Sequence, residues 1–202
     1  MALSTNETLN YYAQNAQEFI AGTVDVDMSR LYRHFLTHLP QDGSILDLGC
    51  GSGRDSKFFA DLGYRVTAVD GSEELCRRAE RLIGFPVRCL LFEELDYVNK
   101  FDGIWACASL LHVEKEKMPH ILDLVARALK VGGTLYLSYK YGAGQRVDNG
   151  RFFSDYTETD IPLLFPEDSP LSCVQWWITQ DERPERSHER WLNMICKKIE
   201  KS

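Results

Sequence analysis

The sequence predicts an α/β fold in which helices cover both faces of a mostly parallel sheet, and three observations carry that prediction. Short apolar runs alternate with amphipathic segments from Ser44 to Lys140. The runs are near-continuous rather than alternating, as strands buried on both faces require. Each run ends in turn chemistry, most clearly where Ile45-Leu46-Asp47-Leu48 passes into Gly49-Cys50-Gly51-Ser52-Gly53 and then Arg54-Asp55.

In chain order, two helices come first, about Asn6 to Ala21 and Met28 to Leu39, the second capped by Asp27 and stopped by Pro40. Strands follow at Ser44 to Leu48, Arg65 to Val69, Val87 to Leu91, Gly103 to Cys107 and Thr134 to Tyr139. Between them lie helices at Arg54 to Leu62, Glu73 to Ile83 and Glu116 to Leu129. Ser72 caps the second of these three, and Lys130-Val131-Gly132-Gly133 stops the third. Thr157 to Phe165 reads as a helix, although Pro162 within it counts against an unbroken one. Ser172 to Thr179 and Arg190 to Lys197 then form a long antiparallel pair across a polar loop.

Composition narrows the function. The chain has 202 residues and is 44% hydrophobic, which suits one large domain with an ordinary core. A net charge of -7 disfavours nucleic acid and anionic membranes, whose affinity rests on phosphate neutralisation. No basic leader or bilayer-length apolar stretch is present, so the expectation is a cytoplasmic protein. Six dispersed cysteines without Cys-x-x-Cys point to small, mostly buried residues, with neither a zinc site nor a disulfide framework. His34 and His38 lie four apart on a helix, but no glutamate completes a metal-binding pattern.

The glycine-rich turn reads as a cofactor site, because it removes side chains where a ligand approaches backbone N–H groups at a helix start. A dinucleotide fingerprint fails: the third glycine position holds Arg54 counting from Gly49, or Ser56 counting from Gly51. A phosphate-binding Gly-Lys-Ser/Thr is absent. The pattern present is acidic-x-Gly-x-Gly-x-Gly headed by Asp47, and a second strand ends at Asp70, where a carboxylate can accept from both ribose hydroxyls.

With Phe101 to Ala108, Ser109-Leu110-Leu111-His112 and Leu129 to Leu135 as later landmarks, the chain resembles the class I S-adenosylmethionine-dependent methyltransferases from about Tyr11 to Lys197. Within them it looks similar to the tellurite-resistance type and related small-molecule enzymes. The resemblance implies a three-layer Rossmann-like fold with a seven-stranded, mostly parallel sheet whose last strand is antiparallel. It implies one domain over residues 1–202: a helical lid at 1–40, a cofactor-binding half at 44–140 and a substrate-side half at 141–199. It also implies cofactor contacts. Gly49, Cys50 and Gly51 lie against the methionine part, with Gly53 completing the turn; Asp47 orders the turn or meets the amino group; Asp70 holds the ribose. After the third strand the chain departs from the family: where many members carry an aspartate for the adenine amino group, it offers Phe92 and Glu93. Cys107 is a further cofactor candidate, and Tyr12 either closes over the methionine end or anchors its helix on the sheet.

Methyl transfer is an in-line displacement that orientation and water exclusion can accelerate, without a covalent residue. An ionised or soft acceptor needs no base, whereas a neutral alcohol or a protonated amine does. His112, just beyond the fourth strand's carboxyl end, is the candidate base or substrate-orienting residue, the alternative being a helix-cap or packing histidine. Tyr141, Arg146, Arg151, Arg183 and Arg190 lie in glycine-punctuated or charged stretches as candidates for an anionic small-molecule substrate, or else as partners of nearby acids. The competing readings are a non-catalytic S-adenosylmethionine-binding or regulatory module, and a nicotinamide-dependent oxidoreductase.

Overall fold

The computed structural model describes residues 5–200. Its order is α1 (Thr5–Ala21), α2 (Ser29–Leu36), β1 (Ser44–Leu48), α3 (Arg54–Asp61), β2 (Arg65–Asp70), α4 (Glu73–Ile83), β3 (Val87–Cys89), β4 (Phe101–Ala106), α5 (Met118–Ala128) and β5 (Leu129–Lys140). A short hairpin follows, β6 (Gln145–Asp148) and β7 (Arg151–Ser154), then α6 (Ile161–Leu164), β8 (Leu171–Gln180) and β9 (Arg190–Lys198).

Seven strands form one sheet in the order β3-β2-β1-β4-β5-β9-β8. Pairing is parallel from β3 to β5, while β9 runs antiparallel to both β5 and β8. This is the predicted seven-stranded sheet with an antiparallel last strand. Side chains alternate between the faces, as the strand period of two dictates. Leu46, Leu48, Ile104, Ala106, Leu135 and Leu137 share a core with Ile121, Leu122 and Val125 of α5. On the other face Ile45, Trp105, Tyr136 and Ile195 pack with Tyr32 and Phe35 of α2 and Phe59 of α3. There Trp105 and Tyr136 stack with ring centroids 3.9 Å apart, a pairing worth about 0.5–1.5 kcal/mol beyond burial.

Several boundaries differ from the sequence reading for local reasons. Met28, not Asp27, occupies the N-cap of α2, although Asp27 accepts from the Ser29 N–H at 2.8 Å. Helix α2 ends at Leu36, because the chain tightens into successive turns before Pro40. Helix α5 gives way at Leu129 directly to β5, so Lys130–Gly133 lie in the strand. The helix expected at 157–165 is a 3-10 turn plus the single turn of α6, held at its start by Thr157 and Asp160. Hairpin β6–β7 is an addition. Its turn is Asn149-Gly150, with φ of 50° and 76°, the left-handed pair that a two-residue hairpin favours.

The strand order reverses between β1 and β4. In an open α/β sheet a ligand crevice forms there, outside the carboxyl ends of the strands.

Candidate functional site

Two loops build the crevice. After β1 the chain turns through Gly49, Gly51 and Gly53, with φ of +81°, +53° and +83°. A Cβ on Gly49 would lie 2.5 Å from that of Ser109, and one on Gly51 would lie 3.1 Å from the Phe19 ring. The turn is tied to β2, since the N–H groups of Gly49 and Cys50 both donate to the Val69 carbonyl at 2.9 Å. After β4, Ala108 takes a φ of 51° and leads into a 3-10 turn at Leu110–His112.

Above these loops lies a roof made of α1 and the β6–β7 hairpin. Phe152 pins it at both of its peptide groups: its N–H donates to Thr8 Oγ1 at 3.0 Å, and its carbonyl lies 2.6 Å from His112 Nδ1. A carbonyl only accepts, so Nδ1 carries the proton and Nε2 is left to accept from the Tyr12 hydroxyl at 2.9 Å. Burial pushes His112 down to about 4, with the Phe152 carbonyl acting the other way and the nearby Arg151 cation adding to the fall. The ring is therefore neutral at pH 7. Burial raises the Tyr12 phenol, against the pull of Arg151.

Two cavities open beneath this roof. The smaller, about 100 Å³, is walled by Leu75, Leu90, Leu91 and Phe92, with Asp70, Glu93 and Ser109 as polar groups. The larger, about 610 Å³, is lined by Cys50, Cys107, Tyr136, Ser138, Arg151, Phe153, Trp191 and Asn193 among others. They meet at Tyr12, Phe19, Gly49, Gly51, Ala108 and His112, which line both.

Asp70 is buried at the end of β2, where its carboxylate accepts from the N–H groups of Gly51 and Ser72, each at 2.9 Å. Burial raises its pKa against those bonds. Asp47 is also buried but lines neither cavity; it accepts from the Ser56 hydroxyl at 2.6 Å and so ties the turn to α3. Burial, then the neighbouring Asp55, pushes its carboxyl upward. Gly53 likewise lines neither cavity. A Cβ there would meet Ile83 and Ala79 of α4 at 3.0 and 3.1 Å, so it serves helix packing.

Of the substrate candidates, Arg151 and Arg183 line the larger cavity, whereas Tyr141, Arg146 and Arg190 line neither. Arg146 is held by Asp155 at 2.6 Å, and Arg183 by Asp181 at 2.7 Å. Arg190 lies over the Tyr141 ring, whose hydroxyl donates to Glu158. Local acids and rings thus take up most of the basic residues that the sequence offered for an anion.

The sequence reading missed a buried network on the floor of the larger cavity. Asp55 accepts from Tyr32 at 2.5 Å, Trp105 at 2.8 Å and Arg54 at 2.6 Å, and Arg54 also donates to the Thr23 carbonyl. Burial opposes the charge on Asp55, but Arg54 and the other donors hold its pKa low. Partners 23 and 50 residues away leave no spacing signal for such a network. Ser109 was missed too, and only its place behind β4 hinted at it.

Residues 45–133 match a family model described as a methyltransferase domain. The matched span is a methyltransferase domain, the kind that the glycine-rich turn implied. It is 34% identical over 113 residues to the cypemycin N-terminal methyltransferase of a Streptomyces species, covering 50% of this chain and 44% of that protein. It is 36% identical over 101 residues to a ubiquinone biosynthesis O-methyltransferase of Xanthomonas oryzae, covering 46% and 41%. The chain thus spans under half the length of these curated relatives. Its fold is similar to that of the Burkholderia thailandensis 1,6-didemethyltoxoflavin-N1-methyltransferase, solved with 1,6-didemethyltoxoflavin and S-adenosylhomocysteine. That likeness has a TM-score of 0.79 at 22% identity and covers 96% of this chain and 88% of that one. The tellurite-resistance subfamily finds no support among these matches.

The residues of this methyltransferase domain fit the family's cofactor, S-adenosylmethionine. Ser109 Oγ is buried without a hydrogen-bond partner among the described residues, and Ser109 lines the smaller cavity. The backbone cradle at Gly49 and Gly51 is space that any Cβ would fill. A carboxylate keeps acceptor capacity beyond its two backbone donors, so Asp70 can also take ribose hydroxyls.

Proposed function

We propose that this chain transfers a methyl group from S-adenosylmethionine to a small-molecule acceptor, by in-line displacement where the two cavities meet. The observation that carries the reading is that junction: a small chamber with Asp70 at one wall opens, past Gly49 and Gly51, into a chamber large enough for a second ligand. Bound there, the cofactor supplies the methyl group on a sulfonium.

The chain's own residues orient and exclude water. Asp70 and Ser109 hold the nucleoside; Leu75, Leu90, Leu91 and Phe92 flank the adenine, with Glu93 at its polar edge. Gly49 and Gly51 present backbone to the methionine part, with Cys50 and Cys107 on the acceptor side. Tyr12 and Phe19 close over the junction from α1, and alignment in such a dry cleft supplies most of the acceleration.

His112 orients rather than deprotonates, since a ring held at about 4 is a poor base at neutral pH. The acceptor therefore arrives already ionised or as a soft nucleophile. The toxoflavin-methyltransferase neighbour, solved with a small heterocycle and S-adenosylhomocysteine, supports a small-molecule acceptor. The test is mass-spectrometric detection of S-adenosylhomocysteine after incubation with S-adenosylmethionine and separate pools of thiols, phenols, carboxylates, alcohols and amines. Turnover with ionised or soft acceptors is expected. Turnover confined to neutral alcohols and amines contradicts the acceptor class, and none with any pool contradicts the activity.

A further inference from the structure

We propose that Arg151 is an anion-recognition site at the junction of the two cavities, seating a carboxylate or comparable oxyanion of a ligand in the larger one. Four other cations line that cavity, and each faces an acid. Arg54 pairs with Asp55 and Arg183 with Asp181, while Lys140 and Arg186 both face Glu189. Arg151 has no carboxylate within 4.0 Å among the described residues. Its guanidinium instead lies over the Tyr11 ring at 4.6 Å and the Phe153 ring at 5.2 Å, and its Nε is buried with no hydrogen-bond partner among the described residues. A desolvated donor on a charged fork is costly unless a ligand completes it.

The fork is also held in place. The Asn149-Gly150 turn sets the register of β7, and the adjoining Phe152 is pinned by Thr8 and His112. Arg151 and Phe153, two apart on a strand, share a face, so a planar anion meets a guanidinium plane beside aromatic walls. The position matters electrostatically as well. Arg151 acts on both Tyr12 and His112, the residues at the junction, so its charge stands close to where a sulfonium would be delivered. Two unneutralised cations there repel, and an anion between them removes the penalty.

One chemistry, an oxyanion, has two possible sources: the acceptor or the methionine carboxylate of the cofactor. Arg151 lines the larger cavity and not the smaller, which favours the acceptor. The inference rests on the methyl-transfer reading for the neighbouring ligand, but not for the anion itself.

The test uses the full chain and its R151Q and R151K variants, each checked for folding by thermal melting. Ligand-observed NMR compares benzoate with its neutral isostere benzamide, with and without S-adenosylhomocysteine. Calorimetry compares S-adenosylhomocysteine with 5′-methylthioadenosine, which lacks the carboxylate. The wild type is expected to prefer benzoate by about tenfold, R151Q to lose that preference, and R151K to keep part of it, as charge without a planar fork predicts. If R151Q instead narrows only the preference for S-adenosylhomocysteine, the anion is the cofactor's tail and the site stands. The proposal is overturned if the wild type shows no charge preference in either arm, or if R151Q leaves both preferences unchanged. Should R151Q not fold, R151K decides: unchanged benzoate and S-adenosylhomocysteine affinities overturn the site. Failure of the methyl-donor reading looks different, since neither nucleoside then binds while the benzoate arm, run without nucleoside, still reports.

Discussion

The Tyr12 hydroxyl donates to Nε2 of His112 across 2.9 Å, joining the N-terminal helix to the turn behind β4 at the point where the two cavities meet. Tyr12→Phe removes that donor and leaves Nε2 unsatisfied in a buried place. The expected loss is about 1–3 kcal/mol of stability by urea denaturation, with weaker S-adenosylhomocysteine binding as the roof loosens.

The protonation of His112 follows from the same geometry. Its folded pKa of about 4 lies below the unfolded value near 6.5, so below about pH 6.5 the unfolded chain binds a proton that the native chain refuses. Stability contributed by the neutral ring is present above about pH 6.5 and is lost as pH falls towards 4. Nitrogen NMR of the imidazole is expected to show the Nδ1–H tautomer at pH 6, and a charged ring at that pH contradicts the arrangement.

Asp47 has the opposite sign. Its carboxyl is raised in the folded chain, so as pH climbs above about 4 the unfolded state ionises first and stability falls. Asp47→Asn removes that dependence and keeps the shape. Its stability relative to wild type is expected to improve steadily from pH 5 to pH 8 in denaturant titrations, and a parallel offset would mean that Asp47 ionises normally.

The glycine turn makes a steric prediction. Gly49→Ala combines a left-handed φ with a 2.5 Å approach to Ser109, whereas Gly144→Ala meets only the left-handed φ of +84° with nothing within 4 Å. Gly144→Ala is expected to cost about 1–2 kcal/mol, from conformation alone. Gly49→Ala costs more in thermal unfolding and also abolishes S-adenosylhomocysteine binding.

Buried and surface ion pairs separate in the same way. Asp55→Ala strands the Arg54 charge and removes the acceptor of Tyr32 and Trp105, so a loss of about 3–5 kcal/mol is expected. Lys57→Ala, which breaks the exposed pair with Asp61, costs under about 1 kcal/mol. Equal losses in chemical denaturation would contradict the assignment of the Asp55 network to the cavity floor.

Local signals made the sheet and the turn legible. Strand runs such as Ile104-Trp105-Ala106 are apolar on both faces because both faces are covered, and Gly49 and Gly51 stand where backbone must come close to something. The β6–β7 hairpin went unread because Gln145–Asp148 is mostly exposed and carries no apolar alternation; the Asn149-Gly150 pair was its one sequence signal. The fate of the arginines was beyond pattern. Whether Arg146 meets a ligand or Asp155 depends on how the hairpin folds back, and the same fold leaves Arg151 over two rings with no acid beside it.

In the methyl-transfer reading proposed above, the smaller cavity holds the nucleoside of S-adenosylmethionine through Asp70. Calorimetric titration of S-adenosylhomocysteine into the wild-type chain and an Asp70→Asn variant tests it most directly. One site is expected in the wild type, and an affinity at least about tenfold weaker in the variant, from the loss of a charge-assisted contact to the ribose. Equal affinities in two equally folded proteins, or no binding by the wild type, would contradict it.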